Sequence, residues 1–139
     1  MSSTTAVVTG ASSGIGALYA EGLARRGHDL ILIARRKDRL DAVAARIEAA
    51  SGVRVEVLAA DLADASDLSR IAARIGGDPN ISILVNNAGA ASFSPLETIR
   101  PEALDEMIAV NVTALTRLTR AVLPGLVRRG AGALSLIHI

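Results

Sequence analysis

The 139-residue chain contains no cysteine, which excludes disulfides, thiolate catalysis and cysteine-ligated metal. Its two histidines, His28 and His138, lie far apart in sequence. Tryptophan is absent, and Tyr19 and Phe93 are the only aromatic residues, so the core has to be built from aliphatic side chains. Charge of one sign is lacking too. The formal net charge is +1, with basic residues scattered along helical segments, so no overall field draws the chain to nucleic acid or to an anionic membrane. The opening stretch MSSTTAVVTG has no basic segment followed by an apolar one, and no later apolar run approaches membrane-spanning length. No nucleic-acid partner, no membrane and a reducing cytoplasm are therefore expected.

Half of the residues are hydrophobic and 21% are charged, a globular composition too apolar for disorder. The length suits one domain, and no repeat, linker or low-complexity segment divides it. Short apolar runs alternate with amphipathic segments. TAVVTG reads as a buried strand, and Ile15, Leu18 and Leu23 then recur in a helical segment closed by Gly27. DLILIA (29–34) is a second strand, followed by Leu40, Val43, Ala44 and Ile47 at helical spacing up to Gly52. VRVEVLAA alternates as a third strand, DASDLSRIAARIGG is a third helix started near Asp64 or Ser66, and ISILVNNAG supplies a fourth strand. After a stretch with Pro95 and Pro101, helical periodicity runs through Leu104, Met107, Ile108, Leu115, Leu118, Val122 and Leu126, and Pro124 is expected to kink or interrupt it.

Parallel strands need crossover connections, normally right-handed helices. The pattern therefore predicts a doubly wound, Rossmann-like α/β fold with a parallel sheet in the order 3-2-1-4. The segment 131–139 is expected to add a fifth strand beside the fourth.

TGASSGIG places Gly10, Gly14 and Gly16 between the first strand and the first helix. Gly10 suits the tight turn, Gly14 lets backbone approach a pyrophosphate, and Gly16 lets the helix pack closely, with unpaired helix N–H groups facing the anion. A glycine trio alone is weak evidence, and its context strengthens it. The spacing T-G-x-x-x-G-x-G resembles the short-chain dehydrogenase/reductase family, and three further stretches resemble it in the same order: Asp61-Leu62 after the third strand, NNAG at 86–89, and Asn111 in MIAVNVTAL. Each has a bland reading alone, as a helix cap, a turn or a polar helix residue. A methyltransferase on a similar sheet fits the glycine spacing and NNAG less well.

The resemblance implies an oxidoreductase moving hydride between a nicotinamide cofactor and a small-molecule alcohol or carbonyl substrate, in a homo-oligomeric parent. Ser12, Ser13 and Ile15 would line the pyrophosphate, Asp61 and Leu62 the adenine, and Asn87, Ala88 and Gly89 the nicotinamide-side ribose. The second strand ends IARRKDRL. Where an acidic residue would bind the ribose 2′-hydroxyl of NAD there is Ala34, and Arg35 follows with a fork suited to a 2′-phosphate, so NADP is expected rather than NAD.

Of the family's catalytic set, Asn111 matches the asparagine that supports a proton relay. No Y-x-x-x-K can be drawn, because Tyr19 is followed four residues later by Leu23 and Lys37 is the only lysine. His28, just past Gly27, reads as a surface residue. The last six residues, LSLIHI, are also the in-frame translation of CTGTCTCTTATACACATC, which resembles a transposon end used in tagmentation libraries. Residues 1–133 are thus expected to be an incomplete NAD(P)-binding domain, inactive by itself, and 134–139 a non-native tail in which His138 has no function. The alternative is a non-catalytic dinucleotide-binding sensor or scaffold.

Overall fold

The computed structural model describes residues 3–137; His138 and Ile139, the end of the expected tail, lie outside the described residues. The elements run β1 (Thr5–Thr9), α1 (Gly14–Arg25), β2 (Asp29–Ala34), α2 (Lys37–Ser51), β3 (Val55–Ala59), α3 (Ala65–Gly76), β4 (Ile81–Asn86), α4 (Pro101–Ile108), a π-helical turn (Ala109–Ala114), α5 (Leu115–Arg129) and β5 (Ala133–Leu136). The strands form one sheet in the order β3-β2-β1-β4-β5. Every pairing is parallel, with Val7 beside Ile31 on one side and Leu84 on the other.

The central strands are apolar at nearly every position because both faces are covered. Ala6, Val8, Leu30 and Leu32 point toward α1 and α2, where they meet Ala17, Ala20, Leu23, Leu40, Val43 and Ile47. Val7, Ile31, Ile33 and Leu84 point the other way, onto Leu68, Ile71 and Ile75 of α3 and Leu118, Val122 and Leu126 of α5. A strand whose alternate side chains enter two different cores reads in sequence as one continuous apolar run.

Two features of the helices go beyond the sequence reading. Ile15 and Leu18 are 53% and 66% exposed, and α1 buries Gly16, Ala17, Ala20, Leu23 and Ala24 instead. Small residues let this helix approach the sheet closely, so its inward face is the less bulky one. Pro124 does not interrupt the last helix, which continues from Leu115 to Arg129. Pro124 and Arg120, whose carbonyl the missing N–H would have bonded, are both exposed, so water can satisfy the freed oxygen. The irregularity lies earlier, at Ala109–Ala114, where the chain widens into a π turn between α4 and α5.

At the β5 side of the sheet, Leu134 and Leu136 are 41% and 51% exposed, and Leu123 and Val127 of α5 also face outward. The two-sided core predicts a steep contrast within α5. Leu118→Ala removes a fully buried side chain and should lower unfolding free energy by about 2–5 kcal/mol. Val127→Ala, at an exposed position, should change it by less than about 0.5 kcal/mol. Urea titration of both variants against wild type measures the difference.

Candidate functional site

All five parallel strands deliver their C-terminal ends to the same edge of the sheet, and the loops leaving β1 to β4 surround a cleft of about 460 Å3 there. β1 ends at Thr9 and turns at Gly10 (φ +65°) before α1 begins at Gly14 (φ +57°). Both φ values lie in the left-handed region where glycine is favoured. Ser13, the α1 N-cap, makes no side-chain cap, and no acidic residue lies in the first turn. The first N–H groups of α1 are therefore available to an external acceptor, at the positive end of the helix dipole.

This turn is locked to the end of β4. The Thr9 hydroxyl accepts from the backbone N–H groups of Asn87 (3.0 Å) and Ala88 (2.9 Å), and the Asn87 side-chain amide donates to the Gly10 carbonyl at 3.1 Å. A Cβ on Gly16 would collide with that same carbonyl and with the Asn87 amide nitrogen. Gly16 is thus a packing requirement of the junction, and it does not itself line the cleft.

The loops after β2 and β3 form the opposite wall. Arg35, Arg36 and Arg39 border the cleft beside Ala34, and Arg35 Nη1 lies 3.6 Å from Glu106 Oε1 on α4. Lys37 is turned along α2 to Asp41 at 2.7 Å. After β3, the backbone N–H of Asp61 donates to Asp67 Oδ2 at 2.8 Å, while Asp61 Oδ1 accepts from the Ala63 N–H at 3.0 Å. The cap of α3 is Asp64, which accepts from the Asp67 N–H. Leu62 turns inward, 6% exposed, and joins the core while one edge still borders the cleft.

Asn111 lies in the π turn. Its amide clamps the loop after β4 by accepting from the Ala90 N–H at 2.9 Å and donating to the Ala90 carbonyl at 2.7 Å. The wider turn carries the side chain off the regular helical register toward that loop.

The cleft brings together Gly10, Ser12, Ser13, Ile15, Arg35, Asp61, Leu62, Asn87, Ala88 and Gly89. Gly14 and Gly16 lie just behind it in the turn, and Asn111 reaches it through Ala90. Sequence reasoning missed Arg39, Glu106 and Val110, which also line it, and the part played by Thr9. Thr9 was readable as the threonine of T-G-x-x-x-G-x-G, and Arg39 as a further basic residue in the same IARRKDRL stretch. Glu106 and Val110 carry no local signal, since α4 and the π turn after it reach the cleft only through the tertiary fold. Chemically, three guanidinium groups, two carboxylates and an open helix N-terminus make a wall for an elongated anion whose charge is concentrated at a few points.

A family model described as short chain dehydrogenase matches residues 4–137. A very-long-chain 3-oxoacyl-CoA reductase of Anas platyrhynchos is 40% identical over 134 residues, which is 93% of this chain and 43% of that protein. Among solved structures, a short-chain dehydrogenase from Sphingobium yanoikuyae in complex with NADPH superposes with a TM-score of 0.93 at 51% identity, over 96% of this chain and 52% of its own. A bulky-bulky ketone specific alcohol dehydrogenase from Comamonas testosteroni gives a TM-score of 0.93 at 41% identity, over 96% and 53%. The chain spans about half the length of the relatives it matches, or less.

Within the site, the Asp67 carboxyl is held below its ordinary value of 3.8, chiefly by the Asp61 N–H and further by Arg70, against an opposing desolvation. A carboxyl lowered in the folded state stabilises the fold above its unfolded pKa, and that stabilisation is lost as pH falls through the folded value. Asp67→Ala should therefore lower the melting temperature at pH 7, and its difference from wild type should shrink as the pH falls below 3.8. Thermal melts from pH 7 to pH 2 measure this; a pH-independent difference would show that the carboxylate does not hold the Asp61 loop.

Proposed function

The chain belongs to the short-chain dehydrogenase family, and from that premise we propose that it is the cofactor-binding part of an NADP-dependent oxidoreductase acting on an alcohol or carbonyl substrate. The observation that carries the choice of cofactor is the wall after β2. Ala34 offers a ribose 2′-hydroxyl no side-chain acceptor, whereas Arg35, Arg36 and Arg39 all border the cleft. Guanidinium forks match a phosphate in charge and geometry. The NADPH carried by the Sphingobium relative supports the same reading.

The residues present fit such a group. Gly10, Ser12, Ser13 and Ile15 would hold the pyrophosphate, with Gly14 keeping the backbone close and the uncapped N-terminus of α1 donating to its oxygens. Asp61 and Leu62 would flank the adenine, and Asn87, Ala88 and Gly89 the nicotinamide-side ribose. The nicotinamide supplies or accepts the hydride when bound. Asn111 contributes by fixing Ala90 and hence the loop that follows Gly89.

Carbonyl reduction also needs a proton donor within hydrogen-bonding reach of the developing alkoxide. Tyr19 is on α1 outside the cleft, and Lys37 is paired with Asp41. Asn111 cannot donate a proton at neutral pH. The 139 residues alone are therefore expected to bind the cofactor without turning it over. The exposed apolar side chains Ile108, Val112, Leu123 and Val127 support a homo-oligomeric parent.

Two measurements test the proposal. Calorimetry should show 2′-phospho-AMP binding more tightly than AMP, and Arg35→Ala should weaken 2′-phospho-AMP by about ten- to a hundredfold, as expected for a charge-assisted hydrogen bond. Equal affinities in the wild-type chain would defeat the NADP assignment. With NADPH and a panel of aldehydes and ketones, absorbance at the nicotinamide band should stay constant, since lost acid/base catalysis alone removes roughly 10²–10⁴-fold in rate. Turnover abolished by Asn111→Ala would overturn the inactivity.

A further inference from the structure

We propose that Glu106 is a specificity-determining residue that holds Arg35 in competition with the 2′-phosphate and so limits how strongly the cleft prefers a phosphorylated ribose. The inference rests on the NADP reading above and adds a residue from a different element.

Arg35 leaves the end of β2, and Glu106 faces it from α4, with Arg35 Nη1 3.6 Å from Glu106 Oε1. Both side chains border the cleft, as does Val110 in the π turn that follows α4. The charged groups at this wall are Arg35, Arg36, Arg39, Asp61 and Glu106. Asp61 is committed to its own loop through the Ala63 N–H. Among the described residues, Glu106 forms the only ion pair of Arg35, and Arg36 and Arg39 form none.

The pair contributes little to folding. The side chains are 69% and 47% exposed, and pairs in that setting are weak and screened by salt. Its consequence falls on the ligand. A phosphate on the Arg35 fork would compete with the carboxylate for Nη1 and sit beside it, where like charges repel. A ribose bearing only a 2′-hydroxyl meets no such repulsion. Glu106 therefore weakens the phosphorylated nucleotide selectively, while Arg36 and Arg39 keep the net field at this wall favourable to it.

Calorimetry on the full 139-residue chain with 2′-phospho-AMP and AMP decides the matter, using Glu106→Gln, Arg35→Ala and the double variant. Glu106→Gln should tighten 2′-phospho-AMP by roughly two- to fivefold, the range of an exposed ion pair, with AMP nearly unchanged. The gain should shrink in high salt and be smaller in the Arg35→Ala background, where only the direct repulsion between carboxylate and phosphate remains. Circular dichroism melts of each variant confirm that this exposed substitution leaves the fold intact. If wild type prefers 2′-phospho-AMP and Arg35→Ala removes the preference, yet Glu106→Gln matches wild type or binds more weakly, the role of Glu106 is overturned while the NADP reading stands. If wild type binds the two nucleotides equally, the NADP reading fails and the inference with it.

Discussion

The cleft depends on one close approach, where the glycine turn after β1 meets the end of β4. The contact has no room for a side chain at Gly16, whose Cβ would strike the Gly10 carbonyl and the Asn87 amide. Because the two strands are neighbours in a parallel sheet, their ends emerge side by side, and their loops must diverge without losing backbone hydrogen bonds. The Thr9 hydroxyl solves this by accepting from two successive N–H groups of the departing β4 chain. A buried N–H without a partner is costly, so this hydroxyl fixes where β4 ends and where the cleft floor begins.

The loops after β3 and β4 are each fastened by one polar side chain from a neighbouring helical segment. Asp67 of α3 holds the backbone of Asp61, and Asn111 in the π turn holds Ala90 from both sides. These are side chain to backbone contacts, which set a loop's position without prescribing the side chains it displays. The same scaffold can therefore carry different recognition residues along Asp61 or Gly89 while the backbone of the cleft stays in place. The π turn belongs to this scheme: a regular helix from Pro101 to Arg129 would leave Asn111 on a different heading, and the extra residue in the turn redirects it.

The strands and their order were legible from sequence because period-two and continuous apolar runs alternate with helical spacing and with glycine turns that mark the junctions. The cleft residues at the ends of β1, β3 and β4 were legible as motifs. The misreadings have physical causes. The bulky apolar residues Ile15 and Leu18 do not mark the inward face of α1, because the helix lies so close to the sheet that only glycine and alanine fit beneath most of it. Pro124 looked like a break because sequence does not show that Arg120 has solvent at hand for its freed carbonyl. Glu106 was invisible for a third reason, since its meeting with Arg35 spans 71 positions along the chain and exists only once β2 and α4 are assembled.

The charges nearest the strands are paired differently at the two edges of the sheet. At the N-terminal edge the charges beside β2 and β3 are matched. Asp29 accepts from the Arg54 backbone and guanidinium and from Ser3, and Arg74 bridges Glu56 and Asp78. The effect reaches the acids and bases themselves: Asp29 is held below its ordinary value, mainly by the Arg54 N–H, and Arg74 above its own, mainly by Glu56. At the C-terminal edge, Arg36 and Arg39 lack ion-pair partners among the described residues, Arg35 has only a long contact to Glu106, and the first turn of α1 carries no acid. Three cations beside an uncapped helix N-terminus repel one another, and nothing in the folding of the chain requires that arrangement. An anion spanning the cleft from α1 to α2 would supply the missing charge at both places at once.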